Sequence, residues 1–119
     1  MFVVEGVIEA LAARALEAGR QGTEGTIYAS TAGAFGVRTA AAISALLPAG
    51  GGHLVAGVDR GEVGESFAAH LRDVAAGSRA TYSRAMPAGK DWAEDLQTLT
   101  DQWEQKAPDP TAPDSASDY

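Results

Sequence analysis

The sequence predicts an α/β domain with three layers, in which helices cover both faces of a four-stranded, largely parallel sheet. Two observations predict this fold. Short apolar runs alternate four times with longer segments of helical period, and glycine or proline separates most of them. Alternation of this kind is typical of βαβ units. A chain of 119 residues is long enough for one such domain with one core.

The first half of the chain contains two strand–helix units. Residues 2–4, "FVV", predict a strand, and residues 7–18 predict a helix that glycines 19 and 22 can end. Residues 25–30 predict the second strand, and residues 37–47 predict a helix that Pro48 and glycines 50–52 end. Helical spacing places four residues of the first helix near one face: Ile8, Leu11, Ala15 and Ala18.

The second half repeats the pattern twice. Residues 53–58 and 79–86 predict strands, and residues 62–76 and 91–105 predict helices. One side of the last helix carries Trp92, Leu96, Leu99 and Trp103. This spacing predicts that both tryptophans are buried.

Composition defines the boundaries and excludes several classes of protein. We expect a domain over 1–106 and a disordered acidic tail over 107–119, because that segment is rich in Pro, Asp, Ser and Ala. The net charge of −7 excludes nucleic-acid binding by overall charge alone. The absence of cysteine excludes disulfides and thiolate metal sites. No apolar run is long enough to span a membrane and no basic leader precedes the first strand, so we expect a cytoplasmic protein without a membrane partner.

Polar residues follow all four predicted strands. They are Glu5, the segment 30–33, Asp59 and the turn "PAGKD" that ends at Asp91. Ligands of parallel sheets bind beyond the carboxyl ends of the strands, so these residues are expected at one edge. Carboxylates from Glu5, Asp59 and Asp91 would suit Mg²⁺. An acid at a strand end is also common as a helix N-cap or in a solvated turn, and that alternative stays open.

Four segments, in order, resemble the Toprim domain of primases, topoisomerases and some nucleases. They are "VVEGVIEALA", "YASTAG", "LVAGVDRGEVGE" and "MPAGKDWAEDL", and the resemblance covers roughly residues 2–99. It is strongest to the Toprim-like domains of plasmid-type primases, replication proteins and mobilisation proteins. The resemblance implies Mg²⁺-dependent nucleotidyl or phosphodiester chemistry on DNA or RNA. It gives Glu5 the role of catalytic acid or base and makes Asp59 the first acid of a metal-binding D-x-D pair.

The chain departs from this family pattern at the second acid of the pair. That position is Gly61, with Glu62 one residue beyond it, and the acid expected four residues after Glu5 is Glu9. The metal-ligand candidates are therefore Asp59, Glu9, Glu62 and Asp91. We expect Mg²⁺ to bind weakly and any activity to be weakened or lost, so whether the domain is an enzyme stays open.

Phosphate or nucleic-acid contacts are expected from the loop after the second strand and from nearby cations. The loop residues are Ser30, Thr31 and Gly33, and the cations are Arg38, Arg60 and Lys90. Alternatively, the glycines only turn the chain and the lysine is solvated.

The sequence thus favours a domain of a DNA-processing protein of the primase, plasmid-replication or mobilisation type. Because the chain begins almost at the first strand, it looks like the excised or stand-alone end of such a protein. DNA or RNA would be reached through the parent protein or a partner domain. Two alternatives remain: a catalytically degenerate Toprim module that binds a protein partner, and an unrelated phosphate-receiver or small-ligand domain.

Overall fold

The computed structural model describes residues 1–18, 20, 25–49 and 51–106, and its elements follow the predicted order. The expected helix ends at glycines 19, 22 and 50 and the expected tail over 107–119 lie outside these residues. The strands are β1 (Phe2–Val4), β2 (Tyr28–Ser30), β3 (His53–Ala56) and β4 (Thr81–Arg84). The helices are α1 (Val7–Glu17), α2 (Val37–Leu46), α3 (Glu62–Gly77) and α4 (Trp92–Lys106).

The four described strands form one parallel sheet in the order β2-β1-β3-β4. In register, Val3 of β1 lies between Ala29 of β2 and Ala56 of β3. The chain leaves β1 towards β2 and then crosses back to β3 on the other side of β1. The strand order therefore reverses between β1 and β3, which is where open α/β sheets bind ligands. The predicted α/β fold is confirmed.

Apolar side chains pack on both faces of the sheet. Helices α2 and α3 cover one face, where the buried side chains include Ile43, Leu54, Val58 and Leu71. Helices α1 and α4 pack together on the other face, over Phe2 and Val4. Burying side chains of this size stabilises the fold by about 1.5–3 kcal/mol each.

Helix α1 turns its alanines inward rather than its larger residues. Its buried residues are Ala10, Ala12 and Ala13, whereas Ile8 and Leu11 are 66% and 57% exposed. The expected stripe on this helix, which includes these two residues, therefore faces solvent. Alanine has the shortest apolar side chain, so an alanine face lets the helix approach the sheet closely.

Helix α4 contacts the body of the domain mainly through its first turns. The ring of Trp92 packs edge-on against Phe2, with 5.5 Å between centroids, and its Nε1 donates to the carbonyl of Gly57 at 2.8 Å. Trp103 is 71% exposed, so the expectation that both tryptophans are buried is wrong for this residue. The helix extends beyond the surface that could cover its last turns.

None of the helices in the described part of the chain combines the length and the apolar character needed to cross a lipid bilayer.

Candidate active site at the carboxyl ends of the strands

Glu5 and Asp59 come together where β1 and β3 end. The two strands are held side by side up to this point, because the Gly57 N–H donates to the Val3 carbonyl at 2.8 Å. Beyond it, the Asp59 N–H donates to Glu5 Oε1 at 3.2 Å. Both acids are half-buried. The expectation that they share one edge of the sheet is met, and a direct hydrogen bond links the two residues.

Glu9 extends this acidic cluster to the start of α4. Its Oε2 accepts a hydrogen bond from the Trp92 N–H at 2.7 Å. Burial raises the pKa of Glu9, and the neighbouring charges of Asp91 and Asp59 raise it further, while hydrogen bonds from the Trp92 and Ala93 backbone lower it. The carboxylate of Glu9 therefore lies close enough to Asp91 and Asp59 to be repelled by both.

Asp91 acts as the N-cap of α4, which was the alternative left open for an acid at a strand end. Its Oδ1 accepts a hydrogen bond from the Glu94 N–H at 2.8 Å. An aspartate at this position satisfies one of the free N–H groups of the first turn. Capping leaves its second oxygen available for water or a cation.

The glycines after Asp59 determine how close α3 approaches the site. Gly61 precedes α3 with φ 105° and ψ 177°, a backbone conformation that is essentially restricted to glycine. A Cβ at Gly64 would collide with the carbonyl of Asp59, so this helix begins directly against the Asp59 peptide. Glu62 lies exposed in the first turn of α3.

Arg60 binds backbone atoms of the neighbouring loop. Its Nη1 donates to the Gly89 carbonyl at 2.9 Å, and its Nη2 donates to the Pro87 carbonyl at 2.7 Å. These bonds tie the loop after β3 to the loop after β4. The other two expected cations, Arg38 and Lys90, are exposed.

The loop after β2 folds against the end of β1. Ser30 Oγ donates to the Glu5 carbonyl at 3.2 Å and accepts from the Ala32 N–H at 3.0 Å. The Gly33 N–H also donates to the Glu5 carbonyl, at 2.8 Å, with Gly33 at φ 80°. Two of the expected phosphate contacts thus hold Glu5 in place. Thr31 Oγ1 is buried and has no hydrogen-bond partner among the described residues.

Two residues that shape the loops of the candidate site were not expected from the sequence. Asp95 accepts hydrogen bonds from the Ala88 and Gly89 N–H groups at 2.7 Å each, and so shapes the loop before α4. Arg84, at the end of β4, donates to the carbonyl of Asp59. An arginine at the end of a strand could have indicated a residue of the site. However, Arg84 contacts backbone carbonyls near Asp59, and sequence spacing does not reveal such contacts.

The carboxylates fit a magnesium site that substrate phosphates and water complete, but not a site made of protein ligands alone. Within the described ranges, no group of three or more His, Asp or Glu side chains could hold a metal ion. The described residues therefore do not form an all-protein cage. Mg²⁺ in phosphoryl-transfer sites is commonly held by one or two carboxylates together with substrate phosphates and water. Asp59 can supply that smaller donor set, with the Glu5 carboxylate beside it.

A parallel sheet with acids beyond two adjacent strand ends defines an α/β domain with a carboxylate site at its topological switch point. Comparison with protein families identifies the family of this domain. The Toprim-like family matches residues 2–96, and the chain belongs to it. The resemblance seen in the sequence is therefore confirmed. This family links the chain to DNA processing in general and to a fold that generally binds Mg²⁺. Comparisons with curated proteins and with solved structures gave no match.

Proposed function

We propose that this domain carries out Mg²⁺-dependent nucleotidyl transfer or phosphodiester cleavage in a DNA-processing protein of the primase, plasmid-replication or mobilisation type. The supporting observation is the pairing of Glu5 with Asp59 at the point where the strand order reverses. This edge lies beyond the carboxyl ends of the strands, which is where parallel sheets bind their ligands. The proposal includes a cytoplasmic location, as expected from the sequence.

The two acids have different roles in this proposal. Glu5 uses Oε1 to accept the Asp59 N–H, which leaves Oε2 to take a proton from an attacking hydroxyl or water. Asp59 would hold the cation, and substrate phosphates and water would complete its ligands. Bound Mg²⁺ would neutralise charge that develops on the transferring phosphate. Because Gly61 provides no carboxylate, affinity for the free ion is low and rises when a phosphate is present.

The surrounding residues have supporting roles. Glu9, Glu62 and Asp91 add negative charge and can hold metal-bound waters, in keeping with the ligand set expected from the sequence. Arg38 and Lys90 are exposed and can contact phosphates. Since the chain carries a net charge of −7, most of the positive charge that binds DNA or RNA comes from the parent protein or a partner domain.

A Mg²⁺ titration followed by backbone amide NMR tests this function, first alone and then with a short single-stranded oligonucleotide. We expect shifts centred on residues 5–9 and 57–62, and a lower midpoint when the oligonucleotide is present. Asp59→Asn should abolish these shifts. Asp101→Asn removes an exposed acid from α4 and serves as the control for lost charge. Shifts that persist unchanged in Asp59→Asn would reject the proposed site.

A second candidate is a non-catalytic module that binds a protein partner. A specific observation favours it: the side of α1 away from the sheet exposes Val7, Ile8 and Leu11, and α4 exposes Leu99 and Trp103. If the titration shows no metal binding, with or without the oligonucleotide, this second function replaces the first.

A further inference from the structure

The peptide groups around Asp59 are bound from two sides. The Asp59 N–H donates to Glu5, which directly follows β1, and the Asp59 carbonyl accepts from Arg84 Nη2 on β4 at 3.2 Å. The same nitrogen lies 3.4 Å from the Val58 carbonyl. Asp59 lies in the short connection between β3 and α3, and these bonds add to the contacts that fix its peptide groups there.

Arg84 is itself held in one orientation by Glu65. Arg84 Nη2 lies 3.0 Å from Glu65 Oε1, and Nη1 donates to Oε2 at 3.1 Å. Two parallel bonds of this kind fix the plane of a guanidinium group as well as its position. The side chain of Arg84 is 19% exposed, and its buried Nε has no hydrogen-bond partner among the described residues. One guanidinium therefore joins β4, α3 and the peptide of Asp59.

We propose that Arg84, oriented by Glu65, is a positioning residue that fixes the Asp59 peptide at the site and so limits the directions that the Asp59 carboxylate can take. With glycine at position 61, Asp59 is the one acid in the segment 57–61, so its direction decides whether a cation is bound. Lysine at position 84 would keep the charge, but a single ammonium group cannot reproduce the planar fork that meets Glu65 and both carbonyls. The metal-binding consequence rests on the proposed function, whereas the fixed peptide does not.

Hydrogen exchange on the full chain, with and without Mg²⁺, tests this role in the Arg84→Lys variant. We expect the Asp59 amide to exchange about tenfold faster, in line with the loss of one charge-assisted hydrogen bond. The Val55 amide, which donates to the Met1 carbonyl within the sheet, should keep its wild-type rate. The Mg²⁺ midpoint should rise about threefold or more. Glu65→Gln should change both quantities in the same direction.

Arg72→Lys is the matched control, because Arg72 lies on the same surface, with its guanidinium 5.5 Å from the centre of the Tyr82 ring. It should leave the Asp59 exchange rate and the Mg²⁺ midpoint unchanged. Equal acceleration at Val55 and Asp59 would overturn the proposal, since that result reports only global stability. An unchanged Asp59 rate in Arg84→Lys would also overturn it. If wild type binds no Mg²⁺, the proposed function fails, and the exchange rates alone still decide the positioning role.

Discussion

Gly61 stands where the Toprim pattern has its second acid, and it differs from an acid in two ways. It has no carboxylate, and its backbone adopts a conformation that favours glycine. At φ 105° and ψ 177° the residue adopts a conformation that L side chains rarely take. A Cβ built there meets no described atom within 4 Å, so space is not the obstacle. An acid could be restored at this position only at the cost of backbone strain.

We therefore predict that Gly61→Asp tightens Mg²⁺ binding while lowering the free energy of unfolding by about 1–3 kcal/mol. Gly61→Ala is the matched control, because it introduces the same strain without a carboxylate. It should lose similar stability and gain no affinity. Isothermal titration and urea denaturation of the three proteins measure both effects. An affinity gain in Gly61→Ala, or none in Gly61→Asp, would contradict the assignment of the ligand position.

The raised pKa of Glu9 makes a prediction about pH. Burial is the main cause, followed in the same direction by the charges of Asp91 and Asp59. A carboxyl whose pKa is higher in the folded than in the unfolded state binds more protons when folded, so stability falls as pH rises through that interval. Glu9→Gln lacks this loss but keeps an oxygen that can accept the Trp92 N–H.

Chemical denaturation between about pH 4 and pH 7 provides the test. The stability of Glu9→Gln relative to wild type should increase as pH rises. A constant offset would instead reflect the altered hydrogen bond to Trp92 alone. Asp101→Asn controls for the loss of one negative charge on an exposed part of α4. A relative stability that decreased with pH would show that the folded protein favours the charged form of Glu9.

Residue positions were predictable where they depended on topology. Parallel strands bring their carboxyl ends to one edge, so the neighbourhood of Glu5 and Asp59 followed from the element order alone. The partners of Arg60 and Ser30 did not follow, because both bind backbone carbonyls whose directions depend on loop conformation. Sequence spacing contains no information about those directions.

At the scale of elements, the sequence predicted which helices and strands form and in what order. It did not predict which face of some helices is buried. The strands are shorter than expected, such as Tyr28–Ser30 within the predicted 25–30. Helix α1 presents alanines to the sheet and leaves Ile8 exposed. Periodicity identifies an amphipathic helix, but two stripes of apolar residues leave its rotation undetermined.

The two tryptophans of α4 provide a prediction at this scale. Trp92→Ala should lower the free energy of unfolding by about 3 kcal/mol, the low end for tryptophan because the side chain is only half-buried. It also loses the contact with Phe2 and the bond to Gly57. Trp103→Ala should change stability by no more than about 0.5 kcal/mol. Urea denaturation of both variants is the measurement, and equal losses would mean that the end of α4 is packed against the domain.

For the whole molecule, charge separates the proposed site from ordinary nucleic-acid binding surfaces. Proteins that neutralise phosphates with Lys and Arg show a steep dependence of affinity on salt. Here 16 acids outnumber 9 basic residues, and Arg60 and Arg84 are engaged with backbone carbonyls. The acidic cluster at the strand ends would repel phosphates unless a divalent cation lies between them.

We therefore predict that the isolated chain binds single-stranded DNA only in the presence of a divalent cation. Fluorescence anisotropy of a labelled oligonucleotide should show no binding in EDTA at protein concentrations up to about 100 μM, where even non-specific DNA-binding proteins are detected. Adding Mg²⁺ should produce weak binding that Asp59→Asn removes and Asp101→Asn retains.

The affinity in Mg²⁺ should vary little between 50 and 200 mM NaCl, because a divalent cation rather than a set of basic side chains makes the contact with phosphate. Proteins with many phosphate contacts lose a factor of about 10³–10⁵ in affinity over the same range. Tight binding in EDTA with a steep salt dependence would instead place the DNA on a basic surface away from Glu5 and Asp59.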